Sequence, residues 1–167
     1  MHADNELLNQ ISNHMKKNNL FLATAESCTG GLLGHLITNI PGASDFYLGG
    51  HIVYSNSAKR LWLGIPPEVI NICGAVSRET VLAMAYSVRK AFNGEVDHKR
   101  VVGFSISGIA GPGGGPPEKP VGTVWMGLST NICERAYHFL FDGSREEIKQ
   151  QTAFQALEIL STDVSLI

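Results

Sequence analysis

Charge is what this chain of 167 residues has least of. Asp, Glu, Lys and Arg make up 17% of it, against about a quarter in an average globular domain. Cations hold no surplus, since 13 Lys and Arg stand against 15 Asp and Glu for a net charge of −2. That balance argues against nucleic-acid binding by phosphate neutralisation, which needs clustered Lys and Arg. No apolar run reaches the roughly 18–20 residues of a membrane span. Met1 to Lys17 is polar and amphipathic, unlike a secretory signal. Cysteine is scarce: Cys28, Cys73 and Cys133 are odd in number, widely spaced and without a CxxC pair. Neither a disulfide framework nor a structural zinc site is expected, and a reducing, cytoplasmic setting is. The six histidines (His2, His14, His35, His51, His98 and His138) stand singly, with no i, i+4 or HxxxE metal spacing. Surface or core packing is expected of them, and His51 draws notice only for lying on the strand that leads to Tyr54.

What is present is glycine, 18 residues of it, and an ordinary 44% of hydrophobic residues. A chain this long can bury a real core, so residues 1–167 are read as one domain. Low charge also fits a homo-oligomer with part of its surface buried. Apolar periodicity predicts a helix over Asn5 to Lys17, a strand over Leu20 to Ala25 and a helix from Cys28 to Asn39. A strand from Phe46 to Tyr54 follows, with a bulge or close backbone approach expected at Gly49-Gly50, and then a short helix from Ser57 to Leu63. Pro66-Pro67 ends that segment and can start another helical turn. Ser77 caps a helix over Glu79 to Phe92, and Arg100 to Ser107 reads as a buried strand. Val121 to Ser129 and Ile132 to Phe141 form an antiparallel hairpin, and Asp142-Gly143-Ser144 caps a last helix. The fold class expected is α/β: a three-layer α/β/α sandwich with a mixed sheet of about five strands.

Three loops then follow strand C-termini, where open α/β sheets place ligands: Glu26–Gly31, Tyr54–Lys59 and Ser107–Pro120. The first, Thr24-Ala25-Glu26-Ser27-Cys28-Thr29-Gly30-Gly31, puts a hydroxyl, a thiol and two glycines at an expected helix N-terminus. Such a corner binds an anion or stabilises an oxyanion. Ser27 needs a base, and Lys59 is a candidate if burial lowers its proton affinity, with Tyr54 relaying the proton or holding the lysine. Cys28 is a rival nucleophile, since a thiol at a helix N-terminus ionises more easily. Spacing leaves both open. The loop after Ser107, Gly108-Ile109-Ala110-Gly111-Pro112-Gly113-Gly114-Gly115-Pro116-Pro117, lacks GK[ST] and opens no helix, so it is neither a Walker A nor a Rossmann motif. Its glycines permit close approach to a phosphate or ribose, Lys119 adds charge at its exit, and Arg145 is a candidate anion clamp.

These blocks resemble the CinA C-terminal domain family, the nicotinamide-nucleotide amidohydrolases. The match runs in family order through Thr24 to Gly31, Tyr54-Ser55-Asn56 with Lys59, Gly74-Ala75-Val76-Ser77, Ser107 to Pro112 with Lys119 to Val124, and Phe141-x-Gly143-x-Arg145. The resemblance implies hydrolysis of the carboxamide of nicotinamide mononucleotide to nicotinate mononucleotide and ammonia, in pyridine-nucleotide salvage. It also implies a metal-free Ser/Lys hydrolase without a cofactor, whose partner is a small pyridine nucleotide. By matching position Ser27 is the nucleophile, Lys59 its base and Tyr54 an assistant to Lys59. Cys28, Thr29, Gly30, Gly31, Ser107, Gly108, Gly111 and Arg145 are implied on the substrate side, with the glycine loop near the nucleotide phosphate. Two departures stand out: Ser107 takes the place of a threonine common in the family, and Ser144 that of an aspartate before the arginine. The N-terminal domain of longer CinA proteins is lacking, so a stand-alone deamidase is expected.

Overall fold

The architecture comes from a computed structural model that describes residues 5–163. His2 and both extremes of the expected domain lie outside the described residues. In chain order the elements are α1 (Asn5–Lys17), β1 (Phe21–Glu26), α2 (Leu32–Thr38), β2 (Tyr47–Ile52), α3 (Asn56–Leu63), α4 (Pro67–Cys73), α5 (Arg78–Lys90), β3 (Val101–Gly108), β4 (Thr123–Ser129), β5 (Glu134–Leu140) and α6 (Arg145–Asp163). The five strands form one sheet in the order β2-β1-β3-β4-β5. β1 runs parallel to both β2 and β3, whereas β3–β4 and β4–β5 are antiparallel. This is the mixed sheet that the alternation of helix and strand, followed by a hairpin, predicts. Among the described residues no helix is long and apolar enough to cross a membrane.

Each face of the sheet carries its own core. On one, Leu8, Ile11 and Met15 of α1, Leu33 and Ile37 of α2, and Ile148, Ala156 and Leu157 of α6 close over Leu22, Phe104, Ile106, Val124 and Met126. On the other, Leu63 of α3, Ile70 of α4, and Met84 and Val88 of α5 cover Ala23, Ala25 and Val101. β3 is buried on both sides, as its apolar run implies. Its α5-facing residues are small for a reason. A Cβ on Gly103 would meet the Ala85 carbonyl oxygen at 2.1 Å, and one on Gly127 of β4 would meet that of Val81 at 2.5 Å. Ser105 Oγ donates to Val81 O at 2.6 Å. The helix therefore lies directly on the strand backbone, and the next residue on that face, Ser107, reaches the turn that precedes α5.

Of the expected boundaries that shift, two have a clear local cause. The helix placed at Cys28 begins four residues later, at Leu32, because Gly30 and Gly31 adopt φ values of 65° and 97° that no right-handed helix contains. The strand placed at Ile132 begins at Glu134, since Thr130–Cys133 close the hairpin turn: Thr130 Oγ1 accepts the Ile132 and Cys133 N–H groups at 3.2 and 3.0 Å. The irregularity near Gly49-Gly50 is present as a register shift between β1 and β2. A close approach accompanies it, as a Cβ on Gly50 would lie 2.2 Å from Thr24 Oγ1.

Candidate active site

Parallel pairing brings the ends of β1, β2 and β3 to one edge, with Glu26 between Ile52 and Ile106. The pairing persists one residue further: Ser27 N–H donates to Ile106 O at 3.0 Å and Val53 N–H to Glu26 O at 2.8 Å. Ser27 and Tyr54 thus leave the sheet side by side. Ser55 caps α3 by accepting the Ala58 N–H at 3.0 Å, which fixes the first turn from which Lys59 projects inward. Lys59 is 1% exposed. Its Nζ donates to Ser27 Oγ at 2.9 Å, to Val53 O at 2.9 Å and to Tyr54 O at 3.4 Å. Ser27 Oγ in turn donates to Tyr54 O at 3.4 Å.

No carboxylate pairs with this ammonium among the described residues. Burial pushes its pKa down from 10.5 to about 8, with the Cys28 thiol acting weakly the other way. In the neutral amine two N–H bonds remain for the carbonyls of Val53 and Tyr54, and the lone pair faces the Ser27 hydroxyl. Cys28 is in a different state. The side chain is 4% exposed, and burial pushes the thiol up to about 12 against the downward pull of the Cys28 and Thr29 N–H groups and of Lys59. A thiol in that condition is not a nucleophile at neutral pH.

The expected anion corner is already filled from within. The Glu26 carboxylate, 2% exposed, accepts the N–H groups of Gly31 at 3.0 Å, Leu33 at 3.1 Å and Gly34 at 2.8 Å. Gly30 N–H donates to Ser27 O at 3.1 Å. Of the turn's N–H groups, those of Cys28 and Thr29 make no backbone hydrogen bond among the described residues. The Glu26 carboxylate therefore ties the Ser27 turn to the start of α2.

Tyr54 also differs from expectation. Its hydroxyl does not touch Lys59; it accepts a hydrogen bond from Arg145 Nη2, and it is the backbone carbonyl that meets the lysine. Arg145 Nη1 donates to Gly111 O at 2.6 Å, so this side chain ties the loops after β2 and β3 to the first turn of α6. Ser144 serves in place of the aspartate. Its N–H donates to Glu147 Oε2 at 2.7 Å and its Oγ accepts the Glu147 N–H at 3.4 Å, a reciprocal cap that fixes where Arg145 begins.

Two cavities border these residues. A small one, about 180 Å³, is lined by Ser27, Cys28, Tyr54, Lys59, Ser107 and Gly108, with Asn56, Ala75, Val76 and Ala110 completing the wall. The larger, about 580 Å³, lies between Thr29, Gly30, Gly31, Leu32 and His35 on one side and Arg145, Glu146, Lys149 and Gln150 on the other. The Tyr54–Arg145 bond joins their walls. Gly113 to Pro117 border neither, and neither does His51. The Ser107 hydroxyl is engaged with Ala75 O at 2.7 Å, and Gly111 enters through its carbonyl alone. Among the described residues no three His, Cys, Asp or Glu side chains gather as a metal site.

The model of the CinA C-terminal domain matches residues 4–164. The chain belongs to the CinA C-terminal domain family. A CinA-like protein of Syntrophotalea carbinolica is 44% identical over 154 residues, covering 92% of this chain and 36% of its own length. A Moorella thermoacetica protein described as competence-damage inducible is 51% identical over 141 residues, covering 84% of the chain and 33% of its own length. The chain spans about a third of these curated relatives. Solved CinA-superfamily structures are matched almost end to end. One from Klebsiella pneumoniae superposes with a TM-score of 0.88 at 28% identity, covering 97% of this chain and 98% of that one. A competence/damage inducible protein from Agrobacterium tumefaciens gives 0.83 at 36% identity, covering 96% and 94%.

Within this CinA domain several residues at the site carried no assigned role from sequence. Lys149 had a signal, since it falls four residues after Arg145 and so on the same helix face. Asn56 lies in the Tyr54-Ser55-Asn56 block itself. Glu26 and the Tyr54 carbonyl had none, because a buried cap and a backbone acceptor leave no mark in residue type.

Proposed function

We propose that this CinA domain hydrolyses the carboxamide of nicotinamide mononucleotide, releasing ammonia and nicotinate mononucleotide, by a serine/lysine mechanism. The observation that carries the reading is the Lys59–Ser27 contact: a buried amine 2.9 Å from a hydroxyl, with its pKa lowered to about 8. Neutral Lys59 takes the Ser27 proton as Oγ attacks the amide carbon. The oxyanion faces the N–H groups of Cys28 and Thr29, a kind of contact worth roughly 2.7–4 kcal/mol per donor. Lys59 then passes its proton to the departing amine, ammonia leaves and a nicotinoyl ester remains on Ser27. Water, deprotonated by Lys59, cleaves the ester and returns the proton to Ser27. The pyridinium charge of the substrate draws electrons from the amide and favours the attack.

In this reading the small cavity takes the amide-bearing ring, which its 180 Å³ suits. The mononucleotide's phosphate goes to the larger cavity, where Arg145, Lys149 and His35 stand around the Thr29–Gly31 turn. Lys149 Nζ lies 3.9 Å from where a Cβ on Gly30 would sit. On this reading the phosphate lies beside the start of α6 rather than under the glycine loop. The decisive measurement is ammonia release from the mononucleotide by wild type, Ser27→Ala and Lys59→Met, each with and without chelator. Wild-type turnover, lost in both variants and indifferent to chelator, is the expected result. Turnover by Ser27→Ala that Cys28→Ala abolishes would establish a thiol enzyme instead. Binding without ammonia release would make the domain a nucleotide-binding module.

A further inference from the structure

Lys119 leaves the glycine-rich loop and reaches across to the turn between α4 and α5. Its Nζ donates to Cys73 O at 3.0 Å and to Val76 O at 2.8 Å. The two carbonyls between them are held as well. Gly74 O accepts from Ser77 Oγ at 3.0 Å and from Thr80 Oγ1 at 2.7 Å, and Ala75 O accepts from Ser107 Oγ at 2.7 Å. Four consecutive carbonyls of one turn are therefore each bound by a side-chain donor, from α5, from β3 and from the loop. Turn carbonyls at a protein edge ordinarily go to water. Here their orientation is fixed from three directions, and the Lys119 ammonium makes charge-assisted bonds to the first and last of them. The residues inside that span, Ala75 and Val76, line the small cavity beside Ser27 and Lys59. Lys119 itself lines neither cavity.

We propose that Lys119 is a positioning residue: by clamping the Cys73–Val76 turn it sets the cavity wall against which the amide-bearing ring is held for attack by Ser27. The proposal rests on the amidohydrolase reading for what the wall holds, but the clamp has readouts of its own. Without the ammonium, the two outer carbonyls turn to water and the wall relaxes by part of an ångström. A misplacement of that order is enough to cost up to about a hundredfold in rate. The Ser27–Lys59 pair stands on α3 and the end of β1, so its own reactivity does not depend on the clamp.

The test compares wild type, Lys119→Met, which keeps the stem without the donors, and Lys119→Arg, which restores donors. Three quantities are measured: kinetics of ammonia release, the rate at which methanesulfonyl fluoride sulfonylates Ser27, and protection of Ser27 from that reagent by nicotinamide mononucleotide. In sulfonylation the Ser27 oxygen bonds to sulfur, fluoride departs and Lys59 takes the proton, so the reagent reports the pair without needing the wall. For Lys119→Met, kcat/KM is expected to fall about tenfold or more, with mononucleotide protection weakened and sulfonylation within about twofold of wild type. Lys119→Arg is expected to recover most of the loss. Unchanged kcat/KM and protection in Lys119→Met would overturn the proposal, as would a sulfonylation rate that falls in step with turnover. If wild type is protected by the mononucleotide yet releases no ammonia, the amidohydrolase reading fails, and Lys119 is then judged on protection alone.

Discussion

A lysine whose pKa is lowered to about 8 by burial gives both activity and stability a definite pH sign. As the proposed base Lys59 must be neutral, so kcat/KM for ammonia release should rise with pH through about 8 and level above it; a profile flat from pH 6 to 9 would remove Lys59 from that role. For stability, the folded pKa lies below the unfolded value of 10.5, so the unfolded chain holds more protons between the two. Unfolding free energy should therefore increase from about pH 8 toward 10.5, and below 8 the fold carries the full cost of a buried ammonium. Lys59→Met should abolish turnover yet raise Tm at pH 7 and lose that alkaline rise, read by thermal unfolding across the pH range. Cys28 gives a contrasting expectation at the same scale. A 4% exposed thiol with a pKa near 12 should resist iodoacetamide in the folded protein, and Cys28→Ser should keep turnover within a few-fold. The residue types at the site were legible from sequence: Ser27 with Lys59 as candidate base, the Cys28 rival, and Arg145. Their actual partners were not. The choice between hydroxyl and thiol depends on which side chain the β1–β2 pairing carries to Lys59, a distance across 32 positions of chain. Tyr54 contributes a carbonyl where its phenol was the visible feature.

Among the elements, those with long periodic patterns were the most readable: α1 matches Asn5–Lys17, β3 falls within one residue, and α5 and the β4–β5 hairpin within two. The start of α2 was not, because its cap is a carboxylate on the preceding strand rather than the usual Ser or Asp one residue before the helix. Glu26 accepts three N–H bonds with two oxygens, which an amide cannot do. Glu26→Gln should cost about 1.5–3 kcal/mol in urea unfolding, the worth of a hydrogen bond to a charged group, and lower kcat by displacing the Ser27 turn. The bed of α5 makes a second demand. Gly103→Ala puts a methyl 2.1 Å from a backbone oxygen that no side-chain rotation can move. It should destabilise by about 1–3 kcal/mol or more, with a drop in Tm and no change in substrate preference.

For the molecule as a whole, the two cavities predict how recognition is divided. If Arg145 and Lys149 hold the phosphate, Arg145→Ala should raise KM for nicotinamide mononucleotide at least about tenfold. KM for the phosphate-free riboside should be left nearly unchanged, since the nucleoside lacks the group they hold. Equal effects on both compounds would mean that Arg145 acts only through Tyr54 and Gly111. The glycine-rich loop has a separate consequence. Arg145 grips it at Gly111, and Lys119 fastens it again beyond the crest, while every residue from Pro112 to Glu118 between these two moorings is exposed. A Glu-specific protease cutting after Glu118 should therefore produce a nicked protein whose two fragments stay together and elute as one species until denatured. A cut there severs a connection whose two ends the fold holds independently.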